Sequence, residues 1–301
     1  MYRRLLVPLD GSRLAETVLP VAARLGKACG ATVFLLHVLE RGAPAAVHGE
    51  RHLRARDEAE AYLAEIASGL RAQGVSVETH AHEVPEGHVP RSIAAHADEE
   101  GADLIVLCTH GSGGVHQILF GSVAQQVLSA GNVPVLLTRP PHDGQTPAFQ
   151  PLRILVPLDR SAFAEKALQP AVDLARLLDA SIHLVTVVPT VSTTTGELQA
   201  VAQGLPTTTR ATLDLQEEET RDYLEGVAER LRSEGVTVST EVRRGDIPAA
   251  LADEAAEPDV GLVVLATHGR AGVRAAFAGS VAARLLDRTH VPMVLLRLGE
   301  R

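Results

Sequence analysis

The chain has 301 residues, 46% hydrophobic and 22% charged, with 28 basic against 37 acidic side chains and a formal net charge of -9. This is the balance of a folded protein with room for two domains of about 150 residues each; it argues against disorder and against a nucleic-acid partner. Five Phe, three Tyr and no Trp exclude an aromatic platform for single-stranded nucleic acid and leave the core to Ala, Val, Leu and Ile.

Residues 5–9 form a short apolar run ended by a turn, which reads as a buried strand. Ser12 is placed to cap a helix reaching about Cys29. A second strand is expected at 32–38, an amphipathic helix at 57–73 closed by Gly74, a third strand at 75–80 and a helix at 90–100 closed by Gly101. The most apolar strand, 104–108, runs into a Gly-rich loop, followed by a helix at 122–130 and a last strand at 133–138. The order then repeats from Ile154 to Arg297, except that a Thr-rich stretch, 190–212, reads as a long loop. Strands alternating with helices imply a parallel sheet with helices on both faces, whose ligands bind beyond the strand carboxyl ends where strand order reverses.

The repetition is visible residue by residue. Leu6-Val7-Pro8-Leu9-Asp10 returns as Leu155-Val156-Pro157-Leu158-Asp159, Thr109-His110-Gly111 as Thr267-His268-Gly269, and Gly121-Ser122-Val123-Ala124 as Gly279-Ser280-Val281-Ala282. A repeat this long is a duplicated domain rather than a solenoid unit. The expected boundaries are a first domain over 1–140, a Pro/Gly-rich linker over 141–151 and a second domain over 152–301.

Three loops in each copy fall at strand carboxyl ends. Asp10 and Asp159, just past a strand, can accept hydrogen bonds from a ribose hydroxyl or a base amine; a turn carboxylate is the plain alternative. Glycines 111, 113, 114 and 121 let backbone N–H groups approach an anion, and a helix beginning at Ser122 adds orphan donors and a favourable dipole. Val38 and Val187 each lie 28 residues after their aspartate, at the end of the second strand, where backbone groups can meet an adenine edge.

With these motifs in place, the chain resembles a tandem universal stress protein, two family domains fused head to tail. The family's nucleotide signature is Gly, two residues, Gly, nine residues, then Gly-Ser or Gly-Thr. Its later part stands here as Gly111, residues 112–120 and Gly121-Ser122, and again as Gly269, residues 270–278 and Gly279-Ser280; the first glycine is Cys108 in one copy and Ala266 in the other. The resemblance implies two Rossmann-like α/β domains of the HUP (adenine nucleotide alpha hydrolase-like) class, each a five-stranded parallel sheet. It implies a stress-response regulator binding ATP, or ADP, AMP or cyclic AMP, with Mg²⁺ as a companion. Adenine would lie near Pro8, Asp10 and Val38, ribose near Leu107 and Cys108, and phosphates at Gly111, Gly121, Ser122 and Val123. The second site would use Pro157, Asp159, Val187, Leu265, Ala266, Gly269, Gly279, Ser280 and Val281. Arg270 and Arg274, where the first copy has Ser112 and His116, would add charge-assisted phosphate contacts there. A nucleotide-free scaffold working through protein partners and a weak ATPase are the alternatives.

Other motifs lead elsewhere or nowhere. No Walker lysine follows the glycines, no nucleophile elbow is present because His110 stands where its first glycine would be, and no general base is evident. His80, His82 and His88 lie close together, with His80 and His82 on one strand face; the aligned positions Glu241 and Arg243 argue for no metal, and none is assigned. Cys108 reads as a small core residue. Two cysteines are too few for a disulfide framework and suggest a reducing compartment. No apolar run approaches the roughly 18 residues of a membrane span, and Met1–Arg4 lead into a strand without a signal-peptide pattern, so a cytoplasmic protein is expected. The apolar last strands, 133–138 and 291–297, would pair with each other within the chain, with a homodimer as a further step.

Overall fold

The computed structural model describes residues 2–42, 46–47, 50–51, 53–109, 122–139, 148–193, 206–268 and 280–298. Two compact units emerge: unit 1 is residues 1–149, 268–278 and 292–301, and unit 2 is residues 150–267 and 279–291.

In unit 1, β1 (Arg4–Pro8), β2 (Thr32–Glu40), β5 (Ser76–Val84), β6 (Leu104–Cys108) and β7 (Val135–Thr138) form a parallel sheet in the order β7-β6-β1-β2-β5. A small hairpin, β3 (Ala46–Val47) and β4 (Glu50–Arg51), stands apart. The central strands read as apolar runs because both their faces are covered: Leu5, Leu6, Val7, Leu104 and Val106 are wholly buried. The expected helix from Ser12 is two helices, α1 (Arg13–Glu16) and α2 (Leu19–Cys29). Pro20 is the reason: it has no N–H for the Glu16 carbonyl, so the ladder breaks one turn after the cap. Helices α3 (Arg56–Ala72), α4 (Val89–Glu99) and α5 (Ser122–Ala130) complete the first copy.

Unit 1 also contains β12 (Met293–Leu298), the chain's last strand, which pairs antiparallel with β7 in the register Met293↔Leu137, Val294↔Leu136, Leu295↔Val135. From β12, Arg297 reaches the end of α5, its Nη1 donating to the carbonyls of Leu128 (3.0 Å), Ser129 (2.6 Å) and Gly131 (2.8 Å). A cation there satisfies orphan carbonyls and complements the negative end of the helix dipole.

Unit 2 holds β8 (Arg153–Pro157), β9 (Ser181–Val188), β10 (Val238–Arg244) and β11 (Val260–His268), all parallel, in the order β10-β9-β8-β11. Its helices are α6 (Leu168–Leu178), α7 (Pro206–Ser233), α8 (Ile247–Ala255) and α9 (Val281–Leu286). The Thr-rich stretch expected as a loop is helical from Pro206 onward. Hydroxyls that favour loops elsewhere bond back to the preceding turn here: Thr212 Oγ1 donates to the Thr208 carbonyl (3.0 Å) and Thr220 Oγ1 to that of Gln216 (2.6 Å). Residues 194–205 lie outside the described residues.

Candidate functional site

In unit 1 the chain leaves β1 for β2 and β5 on one side, then returns past β1 to place β6 and β7 on the other. Strand order therefore reverses between β1 and β6, and the crevice beyond their carboxyl ends is where such sheets bind ligands. Asp10 follows β1, and Cys108 ends β6.

The turn after β1 is built tightly. Leu9 N–H donates to the Leu36 carbonyl (2.8 Å), which holds the turn against β2. Asp10 Oδ1 accepts from Ser12 N–H (2.9 Å) and Ser12 Oγ (2.6 Å), while Ser12 Oγ accepts from Ala15 N–H (3.1 Å) and caps α1. Gly11 joins them at φ +86°, and a Cβ there would lie 2.9 Å from Leu53 Cδ1 and Cγ, so both backbone and space call for glycine. His37, wholly buried in β2, has Nδ1 2.8 Å from the Leu9 carbonyl, to which it donates. Sequence reasoning missed this brace; a lone histidine inside the apolar run 32–40 was the available signal.

The crevice's other wall is β6. Leu107 and Cys108 are buried. Thr17 Oγ1, at the end of α1, lies 3.4 Å from Cys108 Sγ and 2.7 Å from the Leu14 carbonyl, so the first turn and the end of β6 meet. Burial pushes the Cys108 thiol up from 9.0 to about 11, with the nearby Asp10 charge acting the same way and hydrogen bonds from Thr17 and Thr138 opposing. The thiol is thus neutral at physiological pH and brings no negative charge to the crevice. At pH 8 its thiolate fraction is about a hundred-fold below that of an ordinary cysteine, and peptide-resolved alkylation of the folded chain should show Cys108 labelled far more slowly than in denaturant. Because the unfolded thiol ionises near 9.0 and the folded one near 11, the unfolded state sheds its proton first, and this group's contribution to stability is lost as pH rises from about 9 through 11.

Val38 is buried near the carboxyl end of β2, opposite His82. Ser122 opens α5 and Val123 follows it. Gly111 and Gly121 lie outside the described residues, as does His110.

Unit 2 repeats the plan. Order reverses between β8 and β11, placing Asp159 after β8 and Leu265 and Ala266 near the end of β11. Pro157 closes β8, and Leu158 N–H donates to the Val185 carbonyl (2.8 Å). Asp159 Oδ1 accepts from Ser161 N–H (3.0 Å) and from Ser161 Oγ, and Ser161 Oγ accepts from Ala164 N–H (3.0 Å). Asp159 is exposed, and its second oxygen has no partner among the described residues. Where unit 1 has Gly11, Arg160 holds the same left-handed backbone at φ +67°, and its guanidinium pairs with Glu219 of α7 (3.2 Å). Val187 is half-buried opposite Arg243. Ser280 caps α9, its Oγ accepting from Ala283 N–H (3.2 Å), and Val281 is the first helical residue. Gly269, Arg270, Arg274 and Gly279 lie outside the described residues.

Comparison with known proteins follows the duplication. A family model described as the universal stress protein family matches residues 1–139 and again 152–297. Universal stress protein MJ0531 of Methanocaldococcus jannaschii is 30% identical over 148 residues, covering 47% of this chain and 84% of its own. A universal stress protein of Mycolicibacterium smegmatis is 26% identical over 307 residues, covering 97% of this chain and 96% of its own. The crystal structure of a universal stress protein from Archaeoglobus fulgidus superposes with a TM-score of 0.69 at 21% identity, over 99% of this chain and 97% of that one; at that identity the likeness is one of fold. No helix among the described residues is long and apolar enough to cross a membrane.

Proposed function

Given that the chain belongs to the universal stress protein family, we propose that it is a cytoplasmic stress-response regulator that binds ATP, or a related adenine nucleotide, at the strand carboxyl ends of one or both copies. One observation carries the reading: the reversal of strand order between β1 and β6 brings the Asp10 turn against the Cys108 end of β6, and the reversal between β8 and β11 repeats the arrangement with Asp159 and Ala266.

The residues present fit such a ligand. Asp10, Val38 and Pro8 would hold adenine and ribose, with Asp159, Val187 and Pro157 as their counterparts. Cys108 and Ala266 stand where the family signature has glycine; both are small, and the Cys108 thiol is neutral. The phosphates, with Mg²⁺ as their counter-ion, would be held by Gly111, Gly121, Ser122 and Val123, and in the second copy by Gly269, Gly279, Ser280 and Val281 with Arg270 and Arg274. Those arginines make the second site bind at least as tightly as the first. The antiparallel β7–β12 pairing supports pairing of the two copies through their last strands, and light scattering after size exclusion tests for a further homodimer.

Calorimetry with ATP and Mg²⁺ on Gly121→Trp and Gly279→Trp chains tests the reading. Gly279→Trp should remove the tighter binding event, weakening it at least ten-fold, and Gly121→Trp should leave that event in place. Loss of all binding in Gly121→Trp alone overturns the ranking. A chain that purifies without nucleotide and shows no thermal shift on adding ATP and Mg²⁺ overturns the reading in favour of a scaffold.

A further inference from the structure

In unit 1 three imidazoles meet between an outer strand and a helix. His80 and His82 are two apart on β5 and so share one face. His96, on α4, is 7% exposed and closes the triangle. The ring centroids are 5.9 Å apart for His80 and His82, 5.3 Å for His80 and His96, and 4.7 Å for His82 and His96. Each ring offers one nitrogen to a set in which all three atoms lie within 4.8 Å of one another. His88, the third histidine that the sequence brings near the pair, is not a member; its place is taken by one fourteen residues beyond His82 that sequence reasoning passed over.

We propose that His80, His82 and His96 bind a divalent transition-metal ion of the zinc class, with the remaining coordination position open to water. Three further features support a built site. First, His96 Nδ1 lies 2.8 Å from the Ser92 carbonyl, to which it donates; this fixes the ring and leaves the Nε2 lone pair for a metal, the backing that ligating histidines usually have. Second, His80 and His82 are only half-buried, which gives an ion a way in and the two rings room to adjust. A tetrahedral zinc with Zn–N of about 2.0–2.1 Å needs nitrogens roughly 3.3 Å apart, a closure that small rotations of two half-exposed side chains supply.

The third feature is internal to the chain. Strand register equates the copies: β2 and β5 pair Leu36↔His80 and Val38↔His82, and β9 and β10 pair Val185↔Glu241 and Val187↔Arg243. At the position of His82 unit 2 has Arg243, and at that of His96, six residues after the proline that opens each helix (Pro90 and Pro248), it has Glu254; their side chains pair at 3.1 Å, with Glu254 also 2.9 Å from His183 Nε2. That copy closes the place with its own cation and anion. Unit 1 offers three nitrogen donors instead. The neighbouring acid, Glu100, is 3.1 Å from Arg4 and belongs to another ion pair. Imidazole donors with an open position suit zinc, copper, nickel or cobalt rather than magnesium or calcium.

Calorimetry on the chelator-stripped full chain, titrated separately with Zn²⁺ and Ni²⁺, tests the site, with Co²⁺ absorption reporting four-coordinate geometry. One ion should bind per chain, and His80→Ala and His82→Gln should each weaken it at least about ten-fold, while His88→Ala leaves it unchanged. Circular dichroism checks that each variant is folded; both ligand substitutions fall on half-exposed positions, so neither depends on the buried His96. Absence of a one-to-one event, or binding that His80→Ala and His82→Gln leave intact, overturns the proposal. The event should survive Gly121→Trp and Gly279→Trp, which separates it from nucleotide binding.

Discussion

Replacing Glu254 with alanine should destabilise unit 2 by about 3 kcal/mol, the upper end of what leaving a buried hydrogen-bond donor without its acceptor costs. Glu254 sits on α8 with its side chain 9% exposed, and its two oxygens serve different partners: Oε2 lies 2.9 Å from His183 Nε2 and Oε1 lies 3.1 Å from Arg243 Nη1. His183 has nowhere else to turn, because it is buried and its Nδ1 is already engaged with Ser239 Oγ at 2.8 Å. Alanine would leave the Nε2–H without an acceptor and a void beside it, and an orphaned buried donor costs more than the bond it formerly made. Arg243 softens the loss, since it is 40% exposed and can turn to water. Glu254→Gln keeps an acceptor for His183 and should cost less than alanine. Denaturant unfolding, with hydrogen exchange read on β9 and β10, measures both variants; an alanine variant within about 1 kcal/mol of the parent would show that α8 is held by packing alone.

The same corner shows what the sequence could and could not disclose. The duplication, the strand–helix alternation and the two switch-point aspartates were legible because they rest on local patterns: apolar runs with turn residues behind them, repeated in two copies. The break at Pro20 was equally local and was overlooked, although a missing N–H is a property of one residue. The helical reading of 206–212 was hidden because threonine is a poor local signal; its hydroxyl serves a loop or bonds back to the preceding turn, and only the long charged helix that follows decides between them. His37 and His96 were hidden for a different reason. Each acts across the sheet or across a helix–strand contact, on Leu9 and on His80 and His82, and such pairings depend on register that a single strand does not announce. The reach of Arg297 belongs with these. The apolar edges led to the expectation that 291–297 pairs with 133–138, and β12 does lie antiparallel to β7, but only coordinates place Arg297 at the end of α5.

Gly261→Ala should cost unit 2 about 3 kcal/mol, although the change adds a single methyl group. Gly261 lies in β11, where the register with β8 shifts: Val260 pairs with Arg153, and Leu262 already pairs with Ile154. Gly261 is the extra residue of a bulge. A Cβ at this position would stand 2.5 Å from Pro151 Cα, 2.8 Å from its Cβ and 3.2 Å from its nitrogen. These are atoms of main chain and ring, so no side chain can rotate aside. The strand entry is pinned as well, with Arg153 N–H donating to the Asp259 carbonyl (2.9 Å) and its guanidinium 2.6 Å from the Asp259 carboxylate. Either the bulge or the Pro151 segment must move, and a movement there disturbs the start of the two strands whose far ends carry Asp159 and Ala266. Overpacking of this kind typically costs 1–3 kcal/mol, and a rigid backbone neighbour puts it at the upper end. For a unit of about 130 residues, between the sizes at which 1 kcal/mol moves Tm by about 4–8 °C and by about 2–4 °C, that is roughly 10 °C in Tm. Differential scanning calorimetry of Gly261→Ala beside Gly226→Ala, an alanine that meets nothing within 4 Å in α7, separates the clash from any general effect of removing a glycine. If the two variants melt together, the close approach of Pro151 is not what requires glycine at this position.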